Sequence, residues 1–592
     1  MLAGEKDEEE DQNRYPAEPP QLPQYDISPS LKKLTLMFIG AMLINFIIAG
    51  ICALGMRIIQ TDVVISPLIG AAVDSIQRNV LFYSLLTSHG QVMFFGVVSM
   101  NTMWFSYYAT SKWGRKPLSG MKWAKISFWV MEAAVILIFL SPLSGFGAGW
   151  YNLMPLTFLP GRPTMSWNTT AASLFMIGDV LVGIAISIFC IVIISTLLRG
   201  EIPVGTQTFG ARYGEDAVPK EEHELKEKGE DPYPTQDLDH THREELPAGV
   251  RWVILLGING WFTKKWRRIT PAVPILLVAA FVTSMVQIVA NPGLFLQLAQ
   301  GFMSIQNPIA ASNWLLTKNA WWFFGHPIVY FPLLIFLGGM YFFTPRYSKE
   351  RVTFNKWNYR PWPFYFTFSV LVFSHHVFMD IPNPIWLQIV SQTASLGIIW
   401  PSSLTIFTAL LFIWRSKISW NITTRFFYAG IAGWAFGGFQ GAQLGLWGTD
   451  VYLHNTMAMP GHIHLMLLLG PLLMAFGVIY AIIPDLTKKH MSKNLGEIHF
   501  WLTIFGGFGL ALLFSTIGAE GAIRREADMQ PAFQWAMPWL LFFALTIGMS
   551  QLVFVYNFVK TLRRRPTSKE TEQYELLHQQ PTAMGITRGG GE

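Results

Sequence analysis

The chain has 592 residues, of which 51% are hydrophobic and only 14% are charged. Soluble globular proteins carry about 25% charged residues, so this chain has too few to cover a water-exposed surface. Its mean hydropathy of +0.34 and its 45 phenylalanines exclude a disordered scaffold, a coiled coil and an ordinary soluble enzyme. The composition predicts a polytopic membrane protein. The net charge of +6 is typical of basic cytoplasmic loops, and nucleic acid is not an expected partner.

The ends of the chain differ from its middle. Residues 1–30 are acidic and rich in proline, which predicts a disordered tail. Residues 562–592 contain three consecutive arginines and then turn polar, so they are expected to form a cytoplasmic tail. Residues 31–561 are expected to form one core, interrupted at 199–268 by a charged stretch that reads as a solvated cytoplasmic insertion.

The apolar runs of the core predict transmembrane helices. A spanning helix needs about 20 mostly apolar residues. Segments of this kind lie near 34–56, 79–108, 124–142, 171–198, 272–298, 314–343, 364–390, 392–414, 424–446, 455–484, 497–518 and 534–560. Pro382 and Pro384 interrupt the seventh. The predicted fold class is therefore all-α, a polytopic membrane protein that forms a bundle of twelve transmembrane helices.

Basic loops alternate with loops that are nearly free of lysine and arginine. The basic loops lie near 112–122, 264–268, 346–356, 415–417 and 488–493. Basic residues favour the cytoplasmic side of a membrane. We therefore expect a multi-pass protein of the cell membrane with both termini in the cytoplasm.

The two cysteines limit the possible redox groups. Cys52 and Cys190 both lie inside apolar runs, so no CxxC pair or c-type haem attachment is available. A cysteine-ligated copper pair for electron entry would have to lie on another subunit.

Histidines in the apolar segments are the most informative residues. We single out seven of the thirteen, which lie in or next to these segments: His89, His326, His375, His376, His454, His462 and His464. A polar, ionisable side chain at membrane depth is costly and usually functional. A single one could be a core histidine bonded to a backbone carbonyl. Seven in one bundle indicate metal binding, because neutral imidazole is a common ligand of iron and copper.

The spacing of these histidines predicts separate sites. His462 and His464 are two residues apart, so on a helix they point about 200° apart and can serve two cofactors. His326 and Tyr330 are four residues apart and share one helix face. His375 and His376 are adjacent, and local distortion of the helix would let both reach the metal that His326 binds.

These motifs resemble subunit I of the haem–copper terminal oxidases. The motifs are FGHPIVY, HH and HNTMAMPGHIHL, in this order, with GAGWYNLMPL between the third and fourth segments. Ile328 in HPIVY resembles the B branch of that family. The long loop, the acidic N-terminus and the composition are closest to those of archaeal quinol oxidases.

The resemblance implies a set of cofactors and ligands. His89 and His464 would be the axial pair of a low-spin haem, and His462 the single ligand of a high-spin haem of the A type. Copper would be bound by His326, His375 and His376. The resemblance also implies that Tyr330 is catalytic and covalently linked to the imidazole of His326.

The implied activity is the reduction of O₂ to water by a proton-translocating respiratory enzyme. Electrons would come from quinol through the low-spin haem, and the partners would be subunit II, small membrane subunits and the lipid bilayer. The same enzyme with cytochrome c as its donor stays open. Nitric-oxide reductase is a further alternative, but its site uses non-haem iron and lacks the tyrosine. A twelve-helix solute transporter would leave the seven histidines unexplained.

Hydroxyl groups mark a candidate proton path. Tyr341 follows Tyr330 by three helical turns on the same face, and Ser402 and Thr405 are three residues apart. The resemblance implies a path through these four residues, whereas Ile328 cannot carry a proton. The alternative for the serine and threonine is backbone bonding within a helix.

Two arginines break the alternation of loop charge. Arg524 and Arg525 lie on the side that is sparse in basic residues and fit haem propionates, which arginine binds well. Asp450, His454 and Asn455 precede the histidine-rich helix, where the resemblance implies propionate contacts. The alternative is a polar loop that hydrates itself.

Overall fold

A computed structural model gives the architecture of the protein. It describes residues 25–61, 75–147, 149, 168–205, 207–209, 238–239, 242–262, 271–306, 313–347, 352–380, 383–416, 418–568 and 570–571. The predicted N-terminal tail up to residue 24, the centre of the predicted insertion and the chain beyond residue 571 lie outside these ranges.

Twelve helical elements dominate the described residues. They are α1 (Pro29–Thr61), α2 (Gln77–Gly114), α3 (Met121–Leu143), α4 (Thr169–Leu198), α5 (Ile275–Met303), α6 (Trp314–Arg346), α7 (Trp362–Leu371), α8 (Ile385–Arg415), α9 (Ile422–Leu444), α10 (Ala458–Thr487), α11 (Lys493–Ala519) and α12 (Pro531–Arg563). Shorter helices span Ala248–Leu255, Lys356–Tyr359 and Trp447–Leu453. The mostly helical prediction is confirmed.

Ten of these helices, in the part of the chain that the structure describes, are long and apolar enough to cross a membrane. The exceptions are α7, which has only 10 residues, and α9, which has 23 residues but carries Arg425 and many glycines. The count of twelve spans therefore stays a prediction, while a multi-pass membrane protein is established.

The seventh predicted segment, 364–390, does not form one helix. After α7 the chain continues as a 3₁₀ helix, Val372–Val377, and the next helix begins at Ile385 with Pro384 as its N-cap. A proline has no backbone N–H and restricts the residue before it, so helices end ahead of such a site. Helix α8 consequently begins seven residues before the predicted 392.

Short strands depart from the all-α prediction. Within the described ranges, β1 (Ile202–Val204) pairs antiparallel with β4 (His242–Glu244), and Ile202 lies opposite Glu244. Strand β2 (Gln207–Phe209) pairs antiparallel with both β3 (Leu238–Asp239) and β5 (Val352–Thr353). Four of these strands lie inside the predicted insertion, whose polar residues do not favour a membrane helix.

Helix α6 forms the centre of the bundle. In its most apolar stretch 94% of the residues are buried inside the protein, compared with 28% in α8 and in α12. Since lipid is as apolar as leucine, the outer helices can expose large side chains, such as Trp414 at 82% exposure. Residues of α6 are therefore shielded from lipid, as a buried reaction site requires.

A row of glycines on α9 brings α10 close. A Cβ atom at Gly437 would lie 2.9 Å from the backbone nitrogen of Met466, and one at Gly441 would lie 2.8 Å from Cε1 of His462. Small residues four positions apart allow two membrane helices to approach at backbone distance. This approach fixes the position of the histidines on α10.

Candidate metal centre

A cavity of about 590 Å³ lies among α6, α8, α9, α10 and the 3₁₀ segment after α7. This volume is in the range of small-molecule sites. Its wall contains four of the predicted ligand histidines and the predicted catalytic tyrosine: His326, His375, His376, His462 and Tyr330.

Three histidines form a potential metal site on this wall. One ring nitrogen from each of His326, His375 and His376 lies within 4.8 Å of the others. His326 Nδ1 is 2.9 Å from His376 Nε2. The ring of Trp322 stacks on that of His376 at 3.7 Å between centroids and an angle of 4°. The structure thus brings together the three side chains predicted to bind copper, and Trp322 holds one of them.

His326 and Tyr330 lie side by side, as their spacing predicts. Their ring centroids are 5.2 Å apart. His326 Nε2 is buried and has no hydrogen-bond partner within the described ranges. A buried polar atom without a partner is costly. This nitrogen is therefore available for the expected covalent bond to the tyrosine ring, while Nδ1 faces the other two histidines.

His89 on α2 and His464 on α10 face each other on the other side of α10. Their ring centroids are 6.4 Å apart and their planes are 12° from parallel. His89 Nδ1 bonds the Ala49 carbonyl at 3.0 Å, and His464 Nδ1 bonds the Pro460 carbonyl at 2.7 Å. Carbonyl bonds of this kind fix the tautomer of ligand histidines and leave each Nε2 with a lone pair.

The distance between these two rings fits one metal ion between them. A metal–imidazole bond is about 2 Å long, and a ring nitrogen lies about 1 Å from the ring centre, so two opposed axial ligands place their centroids about 6 Å apart. The observed 6.4 Å agrees. His89 and His464 therefore fit the axial pair of a haem.

His462 lies on the cavity side of α10, unlike His464. Its Nδ1 bonds the Gly437 carbonyl at 2.9 Å, which again leaves Nε2 as the available ligand atom. It shares the cavity wall with the three histidines of the potential copper site. The predicted division of the two α10 histidines between two sites is thus present in the geometry.

Both helices that carry the facing histidines depart from α-helical geometry there. In α2, residues Val92–Ser99 are π-helical, and in α10 so are His464–Leu472. Single π-turns within α-helices are frequent at functional sites. Here they adjust the rotation of α2 and α10 close to His89 and His464.

Arg57 is a site residue that the sequence reading gave no role. Its Nη1 is buried without a hydrogen-bond partner in the described part of the chain, and its guanidinium lies 5.3 Å from the ring centre of Phe514. It interacts electrostatically with His89 and His464. A buried guanidinium nitrogen that has no partner among the described residues and lies beside the histidine pair fits a polar or anionic group on a haem. An arginine inside an apolar helix was the signal.

Five polar residues close one end of the cavity. Asp450, His454, Asn455, Arg524 and Arg525 all line its wall. Arg524 Nη2 donates to Asn455 Oδ1 at 2.8 Å, and His454 Nδ1 is 3.1 Å from Asp450 Oδ2. The structure brings together all five residues predicted to contact propionates.

Side chains of α1 and α2 hold the loop after α11. Tyr83 donates to the Arg525 carbonyl at 2.9 Å, and Gln60 donates to the Glu526 carbonyl at 2.6 Å. Burial raises the pKa of the Glu526 carboxyl.

Two of the predicted proton-path residues line the cavity, and the other two are buried outside its wall. Ser402 and Tyr330 line the cavity, while Tyr341 and Thr405 are fully buried outside its wall and are joined by a hydrogen bond of 3.2 Å. Tyr365, which sequence reasoning missed, lies 2.9 Å from the same Thr405 oxygen.

His499 is a buried histidine that the sequence reading also missed. It lies on α11 with no solvent exposure, and its ring contacts Phe426, Phe476 and Phe554. Its Nδ1 is 3.3 Å from the hydroxyl of Tyr480. This pocket is separate from the metal centre.

The fold and the site together define a multi-pass membrane metalloprotein with a histidine pair, a histidine triad and one further histidine beside the triad. The chain matches the family model described as cytochrome c and quinol oxidase polypeptide I over residues 33–209 and 245–550. It belongs to this family, the subunit I of the haem–copper oxidases. Membership of this family excludes the alternative that the chain is a solute transporter.

Individual relatives agree with this assignment. The chain is 23% identical to cytochrome c oxidase subunit 1 of Thermostichus vulcanus over 541 residues, which covers 89% of this chain and 83% of that protein. It is 27% identical to an alternative cytochrome c oxidase subunit 1 of Bradyrhizobium diazoefficiens over 258 residues, which covers 42% and 43% of the two chains. Its fold matches a haem–copper terminal oxidase dimer solved by cryo-electron microscopy, with a TM-score of 0.64, 17% identity and coverage of 91% of this chain and 86% of that chain.

Proposed function

We propose that this chain is the catalytic subunit of a B-branch respiratory oxidase that reduces O₂ to water with electrons from quinol and translocates protons. The observation that carries this proposal is the arrangement of the six histidines. A facing pair lies on one side of α10, and a triad shares a cavity with a single histidine on the other side.

This arrangement divides electron transfer from oxygen chemistry. His89 and His464 would both hold the iron of a low-spin haem, which would pass electrons without binding O₂. His462 would hold a high-spin haem of the A type from one side only. The triad of His326, His375 and His376 would hold one copper ion. When bound, these groups would supply the electrons that O₂ reduction requires.

The side chains of this chain would control orientation and protons. Backbone carbonyls fix the rings of the two axial histidines and of His462, so the available nitrogens are set before a metal binds. Tyr330 would supply a proton and an electron from its hydroxyl, held in place by the covalent link to His326. Tyr341, Ser402 and Thr405 would supply protons to it. Arg524, Arg525, Asp450, His454 and Asn455 would bind haem propionates.

Cytochrome c is the second candidate donor. The curated relatives cited above are named cytochrome c oxidases, which favours it, whereas the long loop, the acidic N-terminus and the composition favour quinol. Electron entry would also involve subunit II, because Cys52 and Cys190 are both buried and neither forms part of a copper-pair motif. We further propose that the complex contains small membrane subunits, lies in the cell membrane and has both termini of this chain in the cytoplasm.

Spectroscopy and oxygen uptake on the purified complex test the proposal. We expect a reduced-minus-oxidised spectrum with two haem signals, carbon monoxide binding to only one of them, and O₂ consumption driven by quinol. A complex without haem signals would contradict the oxidase assignment. O₂ consumption with reduced cytochrome c but not with quinol would overturn the donor alone. Iron in place of copper at the triad would favour nitric-oxide reductase.

A further inference from the structure

Three buried hydroxyl groups meet below the cavity. Tyr341 of α6 and Tyr365 of α7 both bond the hydroxyl oxygen of Thr405 on α8, at 3.2 and 2.9 Å. Tyr341 and Thr405 have no exposure and Tyr365 has 1%. Because a hydroxyl both donates and accepts, three connected hydroxyls can carry a proton in either direction.

Tyr330 and Tyr341 cannot exchange a proton directly. They are separated by eleven residues of α6, or about 16 Å along the helix. Leu334 and Leu337 lie between them and are fully buried, and they offer no polar atom. Since each hydrogen bond spans only about 3 Å, α6 alone cannot connect them, and the hydroxyls nearest to Tyr341 come from the neighbouring helices α7 and α8.

The hydroxyl of Thr405 differs from ordinary helical threonines. In this chain Thr344 and Thr546 donate to the carbonyl four residues earlier, at 2.7 and 2.9 Å, as helical threonines commonly do. For Thr405 that carbonyl belongs to Pro401, which instead accepts a bond of 3.1 Å from Tyr365. The hydroxyl proton of Thr405 is therefore left to bond a phenol oxygen.

Tyr365 connects the buried group to the cavity. Its phenol has the Ser402 hydroxyl as a further hydrogen-bonding neighbour and also interacts electrostatically with Tyr330. Ser402 and Tyr330 line the cavity wall. The Tyr365 phenol thus bonds Thr405 below the cavity and neighbours Ser402 on its wall.

We propose that Tyr365 is a proton-relay residue that passes protons from the Tyr341–Thr405 pair to Ser402 and the cavity of Tyr330. This proposal rests on the proposed function. The Tyr341 proton moves to the Thr405 oxygen, the Thr405 proton moves to the Tyr365 oxygen, and the Tyr365 proton moves to the Ser402 oxygen. The Ser402 proton then passes into the cavity of Tyr330, and water on the far side of the pair reprotonates Tyr341. Each of the four oxygens therefore gains one proton and loses one, and no electron moves. Rotation of the hydroxyls then restores the bond from Tyr365 to the Pro401 carbonyl.

A matched pair of tyrosine variants tests the relay in the whole complex. Tyr365→Phe removes the relaying hydroxyl. Tyr359→Phe is the control, because Tyr359 is also buried, at 3% exposure, and its hydroxyl makes one bond of 2.8 Å to the Val273 carbonyl. The complex is reduced without oxygen, and proton uptake is followed with a pH-indicator dye while the spectra of both haems are recorded.

Proton uptake should slow in only one variant. We expect Tyr365→Phe to reduce the uptake rate roughly tenfold or more. A positioned acid or base usually contributes more than this, but water can replace part of the lost hydroxyl. The low-spin haem should be reduced at the normal rate, carbon monoxide should still bind, and Tyr359→Phe should behave as wild type. Normal uptake in Tyr365→Phe alongside slow uptake in Thr405→Val would overturn the relay and leave the proposed function intact. Absence of haem in the wild-type complex would overturn the proposed function itself.

A second modification covers the case in which the phenylalanine variant does not fold. Difluorotyrosine placed at position 365 keeps the ring and the hydroxyl but makes the phenol more acidic. A relay through Tyr365 requires the pH profile of proton uptake to move to lower pH. An unchanged profile would mean that Tyr365 serves only in packing.

Discussion

His462 and His464 are separated by one residue on α10, yet each belongs to a different group of histidines. His462 bonds the Gly437 carbonyl at 2.9 Å and shares the cavity wall with the triad. His464 lies 6.4 Å from His89 between ring centroids. One rigid helix therefore sets the distance between two potential redox centres.

The first prediction separates the two faces of α10. His464→Ala should abolish the low-spin haem signal and leave carbon monoxide binding, because it removes one of two axial ligands. His462→Ala should remove carbon monoxide binding and keep the low-spin signal. Optical spectra of the two purified variants measure both effects. The same spectral loss in both variants, with the fold preserved by circular dichroism, would contradict the assignment.

The second prediction concerns metal content. Six histidines in groups of two, one and three imply two haem irons and one copper per chain. Elemental analysis of the purified complex, with the metals of subunit II subtracted, measures this ratio. His375→Ala should lower copper and leave iron unchanged, since the nitrogen cluster would keep only two ligands. Copper that persists at the wild-type level in this variant would mean that the triad is not the copper site.

The histidine sites were predictable because their information is local. The spacing of His462 and His464 fixes their directions on any helix. Because burying an imidazole in a membrane is costly, a histidine there indicates a metal ligand even when its neighbours in the fold are unknown. The prolines after His376 likewise predicted an interruption, although not that the following helix would begin as early as Ile385.

Partners between distant helices could not be predicted in this way. Tyr365 and Arg57 have their roles only because α7 packs against α8, and α1 packs beside the His89–His464 pair. Hydrophobic periodicity shows which face of a helix is buried but not which neighbour it meets. His499 lies in the predicted segment 497–518 but in none of the histidine motifs, and its aromatic pocket comes from three other helices.

The third prediction concerns the hydroxyl of Thr405. Thr405→Val keeps the shape of the side chain and removes the oxygen that two tyrosines share. Oxygen turnover should fall by about tenfold or more while both haem spectra stay intact. Thr546→Val is the control, since the Thr546 hydroxyl bonds only the Phe542 carbonyl at 2.9 Å. Equal turnover in the two variants would reduce Thr405 to a packing residue.

The last prediction concerns Tyr330. A phenol stays protonated near neutral pH, so Tyr330 can give up a proton and an electron together. It lies one turn after His326, with 5.2 Å between the ring centroids, and the unpaired Nε2 of His326 is available to bond its ring. Tyr330→Phe removes only the hydroxyl, at a site with 7% exposure, so packing should change little.

We therefore expect Tyr330→Phe to retain both haems and carbon monoxide binding but to lose nearly all steady-state oxygen reduction. An oxygen electrode measures this loss, and Tyr359→Phe, which also removes one buried hydroxyl, provides the control. Wild-type oxygen consumption in Tyr330→Phe would make Tyr330 an ordinary membrane aromatic. Mass spectrometry gives an independent test of the link, because forming one bond between the two rings removes two hydrogen atoms. The peptide that contains His326 and Tyr330 should be lighter by that mass in the wild type and should regain it in the His326→Ala variant.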